Sequence, residues 1–288
     1  MNDSVNVVRA RAGALTDQAP LAFKERSLWG DALQRFSRNK LSVSASIMVL
    51  ILIFIAVSAS IFHPEGYDHQ VYERAWQHPS AEHIMGTDPF GRDVWVRIMY
   101  GARISLTIAA MVNLAALVIG VPVGAAAGWF GGAFDYLLMR IVDVMSAFPN
   151  LLFAILLMAV LGSGLINLFV AMSVTSWIAI ARLVRGQVLS LREQDYTLAA
   201  QSIGASSWHI IRKHMLPNAL TPIIVALTLG IPTAIMSEAG LSFLGIGVNA
   251  PMPSWGKMLQ EYLPYMQTYG YLSVFPAIMI ALTMYAFT

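Results

Sequence analysis

Residues 196–218 read YTLAAQSIGASSWHIIRKHMLPN. This polar stretch separates two long apolar runs, and its role beside a bilayer decides how the whole chain is folded. Asp195, just before it, can cap the amino end of a helix. That helix would cover residues 196–203, where Ala199 and Ala200 are small enough for another backbone to come close. Gly204 suits the left-handed position that ends a helix. Ser206 can cap a second helix over 207–216, whose Trp208, Ile211 and Met215 fall on one face. Arg212, Lys213 and His214 lie near its carboxyl end, where the helix dipole favours cations. Pro217 disfavours helix at Leu216 and marks the stop. Periodicity leaves two roles open: a loop folded over its own bundle, or a docking element for a partner.

The surroundings of the stretch are apolar. The 288 residues are 57% hydrophobic and 12% charged, with a mean hydropathy of +0.63. A soluble domain carries about 25% charged residues, so a multi-span membrane protein is indicated. Six apolar segments stand out, near 42–62, 104–128, 133–161, 165–183, 219–237 and 268–288. The first, SVSASIMVLILIFIAVSASIF, holds no charge and is too long and too far from the terminus for a signal peptide. All six are expected to be helices, because lipid offers the backbone no hydrogen-bond partner and no barrel-like alternation is present. The expected organisation is a segment 1–41 followed by a membrane domain 42–288. There is no cysteine, so disulfides and thiolate chemistry are excluded.

Basic residues orient the spans. Residues 1–41 hold Arg9, Arg11, Lys24, Arg26, Arg35, Arg38 and Lys40. Loop 182–218 holds Arg182, Arg185, Arg192, Arg212 and Lys213 against Glu193 and Asp195. Loop 63–103 is acidic on balance, and loop 238–267 has Lys257 as its one lysine or arginine. Both termini and the opening stretch are therefore expected on the cytoplasmic side. Ahead of the first span, Ser27 could cap a short helix with Trp29, Leu33 and Phe36 on one face, either lying in the interface or acting as a plain anchor.

Within the spans, Gly120, Gly124 and Gly128 recur every four residues, a spacing that favours close helix packing, and Pro122 should bend that helix. Arg140 and Asp143 are spaced to pair along one face, at the wet end of their helix. Pro149 should kink the same helix and is a candidate pathway or hinge position. His63, His69, His78 and His83 match no ligand motif, so no metal is expected. There is no GxxxxGK[ST]: around Gly256-Lys257, Pro251 replaces the first glycine and Met258 the final Ser or Thr. GxSxG and HExxH are also missing. The chain is expected to be no enzyme, to bind no cofactor or nucleic acid, and to draw energy from an ion gradient or a partner.

The motifs supply a resemblance. Ala199-Ala200, Gly204, Ile210 and Leu216-Pro217 resemble the EAA loop of ABC importer membrane subunits. GTDPFGRDVWVRIMYGARISL at 86–106 is similar to the dipeptide/oligopeptide/nickel permease family, second-permease type. So are Arg38-Asn39-Lys40, MRIVDVMSAFP at 139–149, EAGLSFLGIG at 238–247 and PSWGKML at 253–259. The likeness covers about 28–288. It implies an all-α type I importer permease in the bacterial cytoplasmic membrane. Its implied partners are a homologous second permease, two ATPase subunits carrying ATP and Mg, and an extracytoplasmic binding protein. The loop containing Asp195, Leu198, Ala199, Ala200, Gly204, Ser206, Leu216 and Pro217 would couple to the ATPases, and the implied cargo is a di- or oligopeptide. The same machinery could import nickel chelates, glutathione or opines.

Three departures stand out. Leu198 replaces the usual glutamate, which as third residue after an Asp195 cap would complete a capping box. His214 takes the place of the usual isoleucine. The chain ends at Thr288 without the short polar tail usual in the family. Two rival readings remain. A stand-alone secondary transporter would need intramembrane ion-coupling residues, for which Asp143 is the one serious candidate. A membrane enzyme would need a clustered His, Asp or Glu set, which the spans lack.

Overall fold

The computed structural model describes residue 34 and residues 36–288, all-helical with no strand among them. The proposed interfacial helix at Ser27, Trp29 and Leu33 lies outside the described residues. The chain divides into two units, Met1–Ser44 and Ala45–Thr288. In the first, the Asn39 side chain accepts from the amides of Leu41 and Ser42, at 3.1 and 3.4 Å, and so caps α1 (Lys40–Phe62).

The second unit holds α1 from Ala45 onward, then α2 (Val94–Phe130), α3 (Gly132–Ser146), α4 (Asn150–Leu161), α5 (Leu165–Arg192), α6 (Asp195–Ser202), α7 (Ser207–Phe243), α8 (Trp255–Tyr262) and α9 (Tyr271–Phe287). Four helices, α1, α2, α5 and α7, are long and apolar enough to cross a membrane. The α3–α4 pair makes a fifth if counted as one bent span. Large apolar side chains on α1 such as Leu50, Phe54 and Ile61 are exposed, as expected of a helix whose solvent is lipid.

The span expected as one kinked helix over 133–161 is in fact broken. Between α3 and α4 the axis turns by 79°. The reason is local: Pro149 has no N–H and takes an extended conformation (φ −57°, ψ 127°), and a proline disfavours helix at the residue before it. Helix α2, by contrast, runs through Pro122 without ending.

The seam between α2 and α5 organises the bundle. Gly120, Gly124 and Gly128 are all buried against α5. A methyl group on Gly124 would lie 2.3 Å from the Ala181 carbonyl oxygen, and one on Gly120 would lie 2.8 Å from that of Trp177. Only glycine permits that approach.

The loops form a lobe at the amino end of α2. Asp88 is fully buried; its carboxylate accepts from Arg92 Nε at 2.6 Å and Arg97 Nη1 at 3.1 Å. Glu261 on α8 accepts from Arg97 Nη2 at 2.7 Å. Two cations and two anions thus balance inside the lobe and tie loop 86–93 to α8. Tyr262 is fully buried beside them, and burial pushes its phenol pKa upward. Further along α7, buried Glu238 accepts from Ser105 at 3.1 Å and Ser242 at 2.7 Å, joining α2 to α7.

A side chain at Gly124 should separate α2 from α5. Gly124→Leu is expected to lower the detergent-solubilised melting temperature by several degrees. Gly186→Ala on the same α5, where a methyl group meets open space, should leave it unchanged or slightly higher. Thermal denaturation followed by size-exclusion recovery measures both.

Candidate functional site: the α6–α7 element and the cavity above it

The opening stretch folds as two short helical segments at the end of α5. Helix α6 starts one residue earlier than the sequence suggests. Gln194 occupies the cap position without a side-chain cap, and Asp195 is the first helical residue. Asp195 thus acts through the helix dipole and not as the expected cap. The third helical residue is therefore Thr197, so a glutamate at 198 would not complete a capping box here. Instead, fully buried Thr197 donates its hydroxyl to the Leu191 carbonyl at 2.8 Å, pinning α6 to the end of α5.

Gly204 ends α6 in the left-handed region at φ +81°. The Gly204 amide donates to Gln201 and the Ala205 amide to Ala200, each at 3.0 Å. This double closure satisfies the last carbonyls of the helix. Ser206 then accepts from the His209 amide at 3.4 Å and caps the next segment.

That segment does not stop at Pro217. A π turn over Ile211–Met215 carries it directly into the rest of α7. The Leu216 amide reaches back to Ile211, five residues away, and Pro217 follows at the start of the next α segment, where its missing N–H is tolerated. The wider turn also changes the buried face. Ile210, Ile211 and Met215 pack with Val184 and Val188 of α5 and Ala125 of α2. Trp208, expected on that face, is 68% exposed. Ile203 is 86% exposed and Leu198 49%, while Ala199 is exposed and Ala200 half-buried. The element is thus anchored on one side and presents apolar side chains on the other.

Beside it, charged pairs hold α3 to α5. Asp135 forms a two-pronged pair with Arg185, at 2.5 and 2.6 Å. Asp143 accepts from Arg182 at 2.9 Å, and Arg182 also donates to Ser146 at 2.6 Å. Arg140 bonds the Tyr136 hydroxyl and does not pair with Asp143 as its spacing suggested. The nearer partner for Asp143 lies on another helix. Arg192 donates to the Trp129 carbonyl at 3.0 Å and closes the lower end of the α2–α5 seam.

Above these pairs is an open cavity of about 630 Å³ between α2, the α3–α4 break, α5 and α7. Pro149 lines it, with Asn113, Ser146, Asn150, Thr175, Ser176, Arg182, Thr233 and Ser237 among its polar neighbours. Asp143 does not line it. Among the described residues no histidine–carboxylate group can hold a metal ion. His83 bonds Asp93 at 2.7 Å and His63 bonds Glu65 at 3.0 Å. Sequence reading did not find Thr197, the Arg182–Asp143 pair or the Asp88–Arg97–Glu261 network. Each joins residues on different elements or depends on a helix start shifted by one position. The one signal available was the density of charge in GTDPFGRDVWVR.

Residues 120–288 match the family model for the binding-protein-dependent transport system inner membrane component. Residues 27–79 match the N-terminal transmembrane domain of oligopeptide transport permease C. The chain is 43% identical over 282 residues to the oligopeptide transport system permease protein OppC of Bacillus subtilis, covering 98% of this chain and 92% of that protein. It is 44% identical to the dipeptide transport system permease protein DppC of the same organism, over 89% and 81% of the two chains. Identity to the glutathione transport system permease protein GsiD of Pectobacterium atrosepticum is 40%, over 91% and 87%. An inward-facing structure of the MetNI methionine ABC transporter shares the fold, with a TM-score of 0.55 at 23% identity, over 67% of this chain and 93% of that one.

Gly204→Ala would force a Cβ into the left-handed region, at a cost of about 1–2 kcal/mol. Nothing lies near enough to clash, so the effect is confined to the backbone. The Gly204 and Ala205 amides are expected to exchange hydrogen about tenfold faster, by mass spectrometry, with the α2–α5 seam unchanged.

Proposed function

This chain belongs to the family of binding-protein-dependent transport system inner membrane components, and from that membership we propose that it is one of two membrane subunits of an ATP-driven peptide importer. Its six crossings are α1, α2, the bent α3–α4 pair, α5, α7 and α9, with both termini in the cytoplasm. At 17 residues α9 rises about 25 Å, at the short end of what spans a bilayer. Residues 1–41 precede this membrane domain of 42–288.

The partners are a homologous second permease, two ATPase subunits and an extracytoplasmic binding protein. ATP and Mg are bound and hydrolysed on the ATPases; this subunit carries force and forms part of the path. When the ATPases close, α6 and the foot of α7 move with them. Because Met215 and Ile210 are packed against α5 and α2, the displacement is passed to the spans as a rigid-body change. The observation that carries this reading is the exposed apolar set Leu198, Ile203 and Trp208 on an element whose other side is locked to the bundle. The substrate class follows the oligopeptide and dipeptide relatives; glutathione, itself a peptide, is the second reading, favoured by the glutathione relative.

The test is the double variant Gly204→Trp, Ala200→Arg. It should reach the membrane in normal amounts yet lose ATPase co-purification and peptide uptake. Normal uptake would remove the docking role from this element.

A further inference from the structure

Among the described residues that line the 630 Å³ cavity, Arg182 is the only charged one. The cavity's other polar residues are uncharged, the hydroxyls of Ser146, Thr175, Ser176, Thr233 and Ser237 and the amides of Asn113 and Asn150. A neutral hydrogen-bonding wall with a single cation suits a solute rich in amide groups and carrying one anionic end. The volume lies in the range of small-ligand sites.

The hydrogen bonds of Arg182 sharpen this. Its bonds to Asp143 and Ser146 both use Nη2. Among the described residues no acceptor engages its Nε or Nη1, so further donors of the guanidinium are free. Arg185, one helical turn on, is different: its Nε and Nη2 are both taken by Asp135. Arg182 is thus held in place by two partners and keeps donors for a third, and a planar guanidinium is the side chain best matched to a carboxylate.

We propose that this cavity is the subunit's own substrate subsite, in which Arg182 receives the terminal carboxylate of the transported peptide. The proposal rests on the peptide reading above. Peptide amides would face the hydroxyl wall; Asp143, from outside the lining, and Ser146, within it, orient the guanidinium. The subsite would give the membrane subunit a selectivity separate from that of its binding protein.

The experiment compares import of one peptide as free acid and as C-terminal amide, by the complete transporter in proteoliposomes. Uptake is expressed per loaded binding protein, so that the binding protein's own preference is divided out. The wild-type transporter is expected to favour the acid by about five- to tenfold, and Arg182→Gln to erase that preference while still importing the amide. Asp143→Asn keeps an acceptor oxygen for Arg182 and removes only the neighbouring negative charge, so it should keep the preference. Equal loss of both peptides in Arg182→Gln would overturn the proposal, as would loss of the preference in Asp143→Asn. Should Arg182→Gln fail to assemble, Arg182→Lys decides: it retains charge without the planar fork, and is expected to lose part of the preference, about threefold. An unchanged preference in that variant would also overturn the proposal. A wild-type transporter that imports neither peptide would instead fail the peptide reading, and the subsite with it.

Discussion

Backbone meets backbone where α2 crosses α5, and the other functional parts take their positions from that contact. In lipid, association between helices gains little from the hydrophobic effect, so it depends on close packing. Glycine at 120, 124 and 128 brings α2 down onto the carbonyls of Trp177, Ala181 and Arg185. Below this seam, Val184 and Val188 form the floor on which Ile210 and Met215 rest. To one side it leaves the cavity wall of Asn113, Thr175 and Ser176. A wider crossing would loosen the anchor and reshape the cavity together.

Charge is used differently at the two ends of the bundle. In the loop lobe, Asp88, Arg92, Arg97 and Glu261 are linked into a balanced cluster that is largely buried and gives the lobe one arrangement. Burying such a cluster is weak evidence for stability, but removing one member leaves an unpaired charge and costs several kcal/mol. At the other end, Asp135–Arg185 and Asp143–Arg182 are more exposed and bridge α3 and α5, and Arg182 also lines the cavity. Pairs of that kind contribute modestly to stability.

The break at Pro149 and the π turn at Ile211–Met215 are both departures from regular helix, with opposite results. At Pro149 the chain leaves the helix and turns by 79°, opening space beside α5. At Ile211–Met215 one wider turn keeps the helix continuous and rotates Trp208 out to the surface. The first creates a cavity; the second makes a rigid connection from the α6–α7 element into a spanning helix.

Much of this was legible in the amino-acid order. Apolar length marked the spans because a bilayer has a fixed thickness. Glycine spacing marked a packing face, and Gly204 and Ser206 marked a helix end and a helix start because few residues meet those backbone needs. These are local properties, carried by the residues themselves. What depends on neighbours distant in sequence was settled by tertiary structure. Asp143 pairs with Arg182, 39 residues away, and not with Arg140, because α3 lies against α5. Thr197 rather than Asp195 secures α6, because the Leu191 carbonyl is within its reach. Pro217 does not end its helix, because the π turn absorbs the lost hydrogen bond, and that turn is held by burial of Ile211 and Met215 against two other helices. Local chemistry determined which elements form; three-dimensional packing decided which side chains they bring together.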